Sequence, residues 1–184
     1  WREHSLTIPI LMAPMAGACP ASLAIAVGNA GGLGACGALL MEPEAIRAWV
    51  AEVRAKTNGG FQLNTWIPDP APARDGAHEA SVRAFLSAWG PAVPPEAGDA
   101  VTVDFDAQCE AMLKAVPAIV SSIMGLYPPP FVARLEAKGI RWFANVTTVA
   151  EAEAAVGAGA DVVVAQGMEA GGHRGSFEAG RTPP

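Results

Sequence analysis

Short apolar runs recur along the chain, separated by amphipathic or polar stretches. These runs are typical of strands covered on both faces, as in a parallel sheet flanked by helices. The six predicted strands are Ile8–Met12, Leu33–Gly37, Phe61–Ile67, Ala118–Met124, Ile140–Val146 and Asp161–Gln166.

Helical periodicity fills most of the intervals between the apolar runs. The clearest helix is 43–56, which carries apolar side chains on one face and is followed by two glycines. The predicted helices are Ala21–Ala30, Pro43–Lys56, Phe105–Val116, Phe131–Lys138 and Val149–Ala158. This alternation of strands and helices predicts an α/β fold with a parallel sheet and right-handed crossovers.

The parallel sheet could be an open doubly wound sheet or a TIM-type (β/α)8 barrel. No GxGxxG follows the first predicted strand, so a Rossmann nucleotide site is unsupported. We therefore favour the barrel, of which this chain covers about the first six βα units. In either fold, the catalytic and ligand-binding residues lie at the carboxyl ends of the strands. Met15, Asn64, Gln166 and His173 fall at these ends.

Residues 68–103 interrupt the alternation. The segment is rich in proline and aspartate and contains one predicted helix, His78–Trp89. Such a long interval is more typical of an insertion or lid than of a core element. We interpret residues 1–184 as one partial barrel domain with this lid-like insertion, and the start at Trp1 indicates a fragment of a longer protein.

Composition narrows the class of protein. The chain is 51% hydrophobic and 16% charged, which suits the core of an α/β enzyme. Its net charge of -6 argues against a nucleic-acid or anionic-membrane partner. No apolar run is long enough to span a bilayer and no signal-peptide pattern opens the chain. Three scattered cysteines without metal-ligand spacing are typical of reduced thiols in a cytoplasmic protein.

The candidate chemistry concentrates in residues 161–175, DVVVAQGMEAGGHRG. Gly171 and Gly172 lack side chains and permit positive φ, so backbone N–H groups can approach a phosphate or a flavin edge. Histidine is the side chain most easily poised as a proton acceptor at neutral pH. The stretch therefore predicts a buried strand leading into a catalytic loop that carries His173.

Asn64 is a polar residue within an otherwise apolar predicted strand. A buried amide needs a partner, so Asn64 either satisfies backbone groups or meets a ligand. Met15 and Trp66 likewise fit either plain core packing or the wall of a pocket.

Four motifs together resemble the nitronate monooxygenase family, formerly called 2-nitropropane dioxygenases, whose members are FMN-containing barrel enzymes. They are PILMAPMAG at 9–17, NAGGLG at 29–34, FQLNTW at 61–66 and AQGMEAGGHRG at 165–175. The resemblance implies FMN as cofactor and His173 as the catalytic base. The residues it implies as flavin contacts are Ala13, Pro14, Met15, Asn64, Gln166, Gly171 and Gly172.

The implied reaction is oxidation of an alkyl nitronate by O2 to a carbonyl compound and nitrite. Family members continue into a second glycine-rich segment that holds the FMN phosphate, and that segment is absent here. FMN-dependent enoyl-acyl-carrier-protein or quinone reductases that use NAD(P)H carry a similar Gly-Gly-His loop and remain an alternative. A further alternative is a non-catalytic partial barrel that binds neither FMN nor substrate.

Overall fold

A computed structural model describes residues 6–70, 73–99 and 103–178. Five strands form one sheet in which every neighbouring pair is parallel and the spatial order equals the chain order. The strands are β1 Gly34–Gly37, β2 Phe61–Trp66, β3 Ile119–Ile123, β4 Arg141–Val146 and β5 Val162–Ala165.

Helices connect the strands. They are α1 Ala21–Asn29, α2 Pro43–Lys56, α3 Gly76–Leu86, α4 Phe105–Ala115, α5 Pro129–Ala137 and α6 Val149–Gly157, with a 3-10 helix at Pro95–Gly98. The predicted helices agree with these to within a few residues at each end. Among the described residues no helix combines the length and apolarity needed to cross a membrane.

The strand order identifies the kind of parallel sheet. A doubly wound sheet reverses its order at a switch point, whereas a barrel wall adds each new strand on the same side. The order β1-β2-β3-β4-β5 has no reversal. The predicted α/β class and barrel architecture are therefore confirmed, and the described strands form an arc of that barrel.

The first predicted strand is the main correction. Residues 8–12 do not form a regular strand; Leu11 and Ala16 instead make isolated parallel bridges to Leu33 and Gly37. Backbone bonds from Met12 N to Leu33 O (2.9 Å) and from Leu33 N to Ile10 O (3.0 Å) still hold the segment beside β1. Proline at 9 removes one donor, and proline at 14 follows soon after, so a continuous ladder cannot form.

The two faces of the sheet pack differently because side chains alternate along a strand. The outer face joins the helices in the main apolar cluster, which includes Leu63, Val120 and Trp142. The inner face carries a smaller apolar cluster of Leu6, Leu33, Ile119 and Phe143. These four side chains come from different segments, as expected for a layer filling the inside of a barrel.

Strand β5 departs from the expectation that it is covered on both faces. Val162, Val163 and Val164 remain 40%, 37% and 42% exposed. The reason is that β5 is the last strand of the described sheet and pairs with β4 alone.

Residues Asp69–Thr102 form a compact unit separate from the rest of the chain. Asp75 caps α3 by accepting hydrogen bonds from Ala77 N (3.0 Å) and His78 N (3.1 Å). The Arg74 guanidinium bonds both Glu79 and Asp99, which ties the start of α3 to the end of the 3-10 helix. The predicted lid role of this segment stays a prediction.

Glycine at position 37 is required by close packing. A Cβ built there would lie 2.6 Å from Ala16 N and 2.7 Å from the carbonyl carbon of Met15. We expect Gly37→Ala to lower the free energy of unfolding by about 1–3 kcal/mol. The new methyl group would meet backbone atoms, which cannot move aside as a flexible side chain can. Chemical denaturation checks this.

Gly157→Ala is the matched control, because nothing lies within 4 Å of its built Cβ and it ends α6. It should leave the protein at least as stable as the wild type. Equal unfolding midpoints for the two variants would show that the close approach at Gly37 has no energetic effect.

Candidate active site

The inner face of β2 connects three separate parts of the chain. Gln62, Asn64 and Trp66 alternate with Leu63 and Thr65, so they project to the same side of the sheet. Gln62 Nε2 donates to the carbonyl oxygen of residue 12 at 2.8 Å. Further along the strand, Asn64 bonds β3 and Trp66 contacts the loop after β5. This strand therefore fixes the relative positions of the candidate residues.

Asn64 is buried at 6% exposure and only partly satisfied by the protein. Its Nδ2 donates to Ser121 Oγ at 3.0 Å and to Ser121 O at 3.2 Å. Its side-chain oxygen accepts no hydrogen bond from the described residues. The amide nitrogen therefore serves the sheet, and a ligand contact of the carbonyl oxygen stays a prediction.

The loop that follows residue 12 carries Ala13, Pro14 and Met15. Met15 is 43% exposed, so it is not a core residue in the described structure. The backbone N–H of Met15 donates to Cys19 Sγ at 3.1 Å, and Trp49 Nε1 donates to the Cys19 carbonyl at 3.0 Å. The buried Cys19 thus links this loop to Trp49 of α2 through hydrogen bonds. The sequence pattern alone indicated no role for it.

Gln166 contacts the loop that carries His173 through both ends of its side chain. Its Nε2 donates to the His173 carbonyl at 2.9 Å, and its Oε1 accepts from Gly175 N at 2.7 Å. Asn145 Nδ2 lies 3.5 Å from the same oxygen. Gln166 was predicted to bind flavin; here it closes the histidine loop, and one amide hydrogen remains for a further acceptor.

His173 lies on the exposed loop with its ring against Trp66. The ring centroids are 4.8 Å apart and the planes meet at 64°, an edge-to-face contact. Gly172 has φ +83°, and a Cβ at Gly171 or Gly172 would meet nothing within 4 Å. The predicted glycines therefore leave open space beside the histidine, where backbone groups are accessible to a ligand.

Glu151 is a buried carboxylate near this loop that sequence reasoning did not single out. Oε2 accepts from Thr147 N (2.6 Å), Thr147 Oγ1 (2.9 Å) and Thr148 N (3.2 Å), while Oε1 accepts from Phe177 N (2.9 Å). Thr148 and Glu151 also form the capping box of α6. The available signal was the Thr-x-x-Glu spacing, which predicts the cap but not the bond to Phe177.

A polar cavity of about 170 Å³ lies at the carboxyl ends of β4 and β5. Its lining comes from the turn after β4 and the loop after β5, and includes Thr147, Gln166, Gly167, Gly172 and Arg174. No three His, Cys, Asp or Glu side chains in the described part of the chain are grouped to hold a metal ion. The cavity lining itself offers hydroxyl, amide and guanidinium groups that can form hydrogen bonds.

These features suit a flavin ring. The isoalloxazine edge presents both N–H and C=O groups, and the unused Asn64 oxygen and the open backbone at Gly171 and Gly172 are complementary to them. His173 stands at the same carboxyl edge of the sheet. Binding of a planar cofactor by these residues, with His173 as the neighbouring proton acceptor, stays a prediction.

A family model described as nitronate monooxygenase matches residues 2–183. The chain belongs to the nitronate monooxygenase family. Members of this family are flavin-dependent oxidoreductases. The nitronate monooxygenase of Paraburkholderia phytofirmans is 40% identical over 176 residues, which cover 92% of this chain and 48% of that relative. The chain thus spans about half the length of this curated family relative.

Solved structures agree with the family assignment. A nitroalkane oxidase from Streptomyces ansochromogenes matches with a TM-score of 0.80 and 34% identity over 95% of this chain and 50% of that one. FabK from Thermotoga maritima matches with a TM-score of 0.68 and 29% identity over 95% and 44% of the two chains. The family fold is therefore present across nearly all of this chain.

The Glu151 carboxylate makes the fold sensitive to acid. Burial raises its pKa, but the hydrogen bonds from Phe177, Thr147 and Thr148 outweigh burial and hold the pKa below its ordinary value of 4.5. The ionised group therefore stabilises the fold above that value, and this contribution is lost as the pH falls through the lower folded-state pKa.

We expect Glu151→Gln to be less stable than the wild type at neutral pH and to lose less stability on acidification from about pH 6 to about pH 3. Urea unfolding at each pH measures both effects. Glu153→Gln, an exposed position on the same helix, should follow the wild-type pH profile. Parallel profiles for the wild type and Glu151→Gln would contradict the role of this carboxylate.

Proposed function

We propose that the protein is an FMN-dependent enzyme that oxidises alkyl nitronates with O2 to carbonyl compounds and nitrite. Family membership over residues 2–183 supports the reaction class. The observation that carries the proposal is the placement of His173 against Trp66, on a loop whose backbone Gln166 bonds at the His173 carbonyl and the Gly175 N–H. A fixed base beside an open polar edge is what proton abstraction from a small carbon acid requires.

The proposed flavin contacts come from three segments of the chain. The loop after residue 12 supplies Ala13, Pro14 and Met15, β2 supplies Asn64, and the end of β5 with its loop supplies Gln166, Gly171 and Gly172. FMN bound there would supply the electron-transfer chemistry, which amino-acid side chains lack. The protein's own part is to orient the ring and the substrate.

His173 acts in two ways under this proposal. For a neutral nitroalkane, the neutral imidazole removes the proton from the carbon that bears the nitro group. For a nitronate, which has already lost that proton, the imidazole N–H only donates a hydrogen bond to a nitronate oxygen. Edge-on contact with Trp66 limits the orientations open to the imidazole ring.

A second candidate is an FMN-dependent reductase that takes electrons from NAD(P)H and passes them to an enoyl thioester or a quinone. The Gly171-Gly172-His173 loop is equally compatible with such an enzyme. The electron donor therefore distinguishes the two candidates.

Anaerobic mixing of the purified full-length protein with propionate 3-nitronate tests the proposal directly. We expect rapid loss of the oxidised-flavin absorbance without NAD(P)H, because the nitronate itself is the reductant. Reduction only after NAD(P)H is added would favour the reductase. A protein without flavin would contradict both and leave a non-catalytic barrel.

Replacement of His173 by Asn tests the base. We expect turnover of neutral nitroalkanes to fall by about 10²-fold or more, because general-base catalysis is removed, while turnover of nitronates falls far less. Steady-state oxygen consumption with both substrates gives the ratio. The flavin content of each preparation is the control, and equal losses on the two substrates would remove the base assignment.

A further inference from the structure

We propose that Glu151 is the residue that positions the His173 loop, by tying the segment that follows His173 to the carboxyl end of β4. This inference rests on the proposed function for the part of it that concerns catalysis. Glu151 itself belongs to helix α6 and lies outside the proposed cofactor contacts. Its role is therefore one of positioning.

The two carboxylate oxygens face different segments. Oε2 receives three donors from the turn that follows β4, at Thr147 and Thr148. Oε1 receives the backbone N–H of Phe177 at 2.9 Å, four residues beyond the histidine. Thr147 Oγ1 also lies 3.1 Å from Ser176 Oγ, which adds a second bond between the same two segments. The carboxylate is thus a bridge as well as a helix cap.

The loop depends on such anchors because it has little packing of its own. Residues 167–173 are exposed, and Gly171 and Gly172 have no heavy atom within 4 Å of a built Cβ. Gln166 fixes the backbone at His173 and Gly175, and Glu151 fixes it at Phe177. Gln166 therefore holds the histidine at its own carbonyl, and Glu151 is a second anchor four residues further along the chain.

The chemistry requires a carboxylate at this position. All four of its hydrogen-bond partners are donors, and an ionised carboxylate offers only acceptors. Glutamine can keep the bonds to Thr147 and Thr148 through its oxygen and so can still cap α6. Its NH2 group would then face the Phe177 N–H, which places two donors against each other. Glu151→Gln therefore breaks the bridge selectively.

The test compares Glu151→Gln with the wild type in the full-length protein. We expect hydrogen–deuterium exchange of the peptide covering residues 167–177 to increase, because this segment loses its second anchor. We expect the ratio of neutral-nitroalkane turnover to nitronate turnover to fall about 10-fold, because only the neutral substrate needs His173 correctly placed to remove a proton. Flavin content should be unchanged.

Thr148→Ala is the matched control. It removes the hydroxyl that accepts from Glu151 N and so weakens the cap of α6, but it leaves the carboxylate bridge to Phe177 in place. It should lower stability without changing either loop exchange or the substrate ratio. A merely structural role for Glu151 would instead make the two variants alike.

The outcomes separate the two proposals. Unchanged exchange of residues 167–177 in Glu151→Gln overturns the positioning role, whatever the enzyme does. A wild-type protein inactive on both substrates overturns the proposed function, and exchange then still decides whether Glu151 holds the loop. Increased exchange with an unchanged substrate ratio shows that the anchor does not position the base, and this also overturns the inference.

Discussion

The alternation of side chains along β2 is the constraint on which the candidate site depends. Because every second residue projects inward, one short strand places Gln62, Asn64 and Trp66 on the inner face and Leu63 and Thr65 against the helices. The three inner side chains then meet the first loop, β3 and the histidine loop. A shift of the register by one residue would bury the wrong set and separate these contacts.

Polar residues can occupy the inside of this sheet because their amide nitrogens find acceptors on neighbouring strands. Ser121 receives the Asn64 amide, and Asn145 approaches Gln166 at the next pair of strands. An unpaired amide in that position would cost about 1–3 kcal/mol. The interior thus changes from the apolar layer that contains Leu33 and Phe143 to a polar layer toward the carboxyl edge, where a ligand can bind.

The exposed loops are held by a few strong contacts. Gly37 lets the first loop approach β1 closely, and Gly175 packs so tightly on Asn145 that a Cβ would overlap its amide. Glu151 and Gln166 hold the histidine loop by hydrogen bonds to its backbone. The open space at Gly171 and Gly172 and the backbone bonds at the end of the loop leave room for a ligand beside a backbone held in position.

The sequence by itself determined the alternating elements, the parallel sheet and the candidate residues at its carboxyl edge, because apolar periodicity and glycine positions are local signals. It could not exclude residues 8–12 as a strand or reveal the exposure of Val163, since both depend on which neighbours a segment has. Only the tertiary structure decided that Gln166 and Glu151 hold the histidine loop. Their hydrogen bonds to Gly175 and Phe177 span 9 and 26 residues, and no local pattern encodes a contact of that separation.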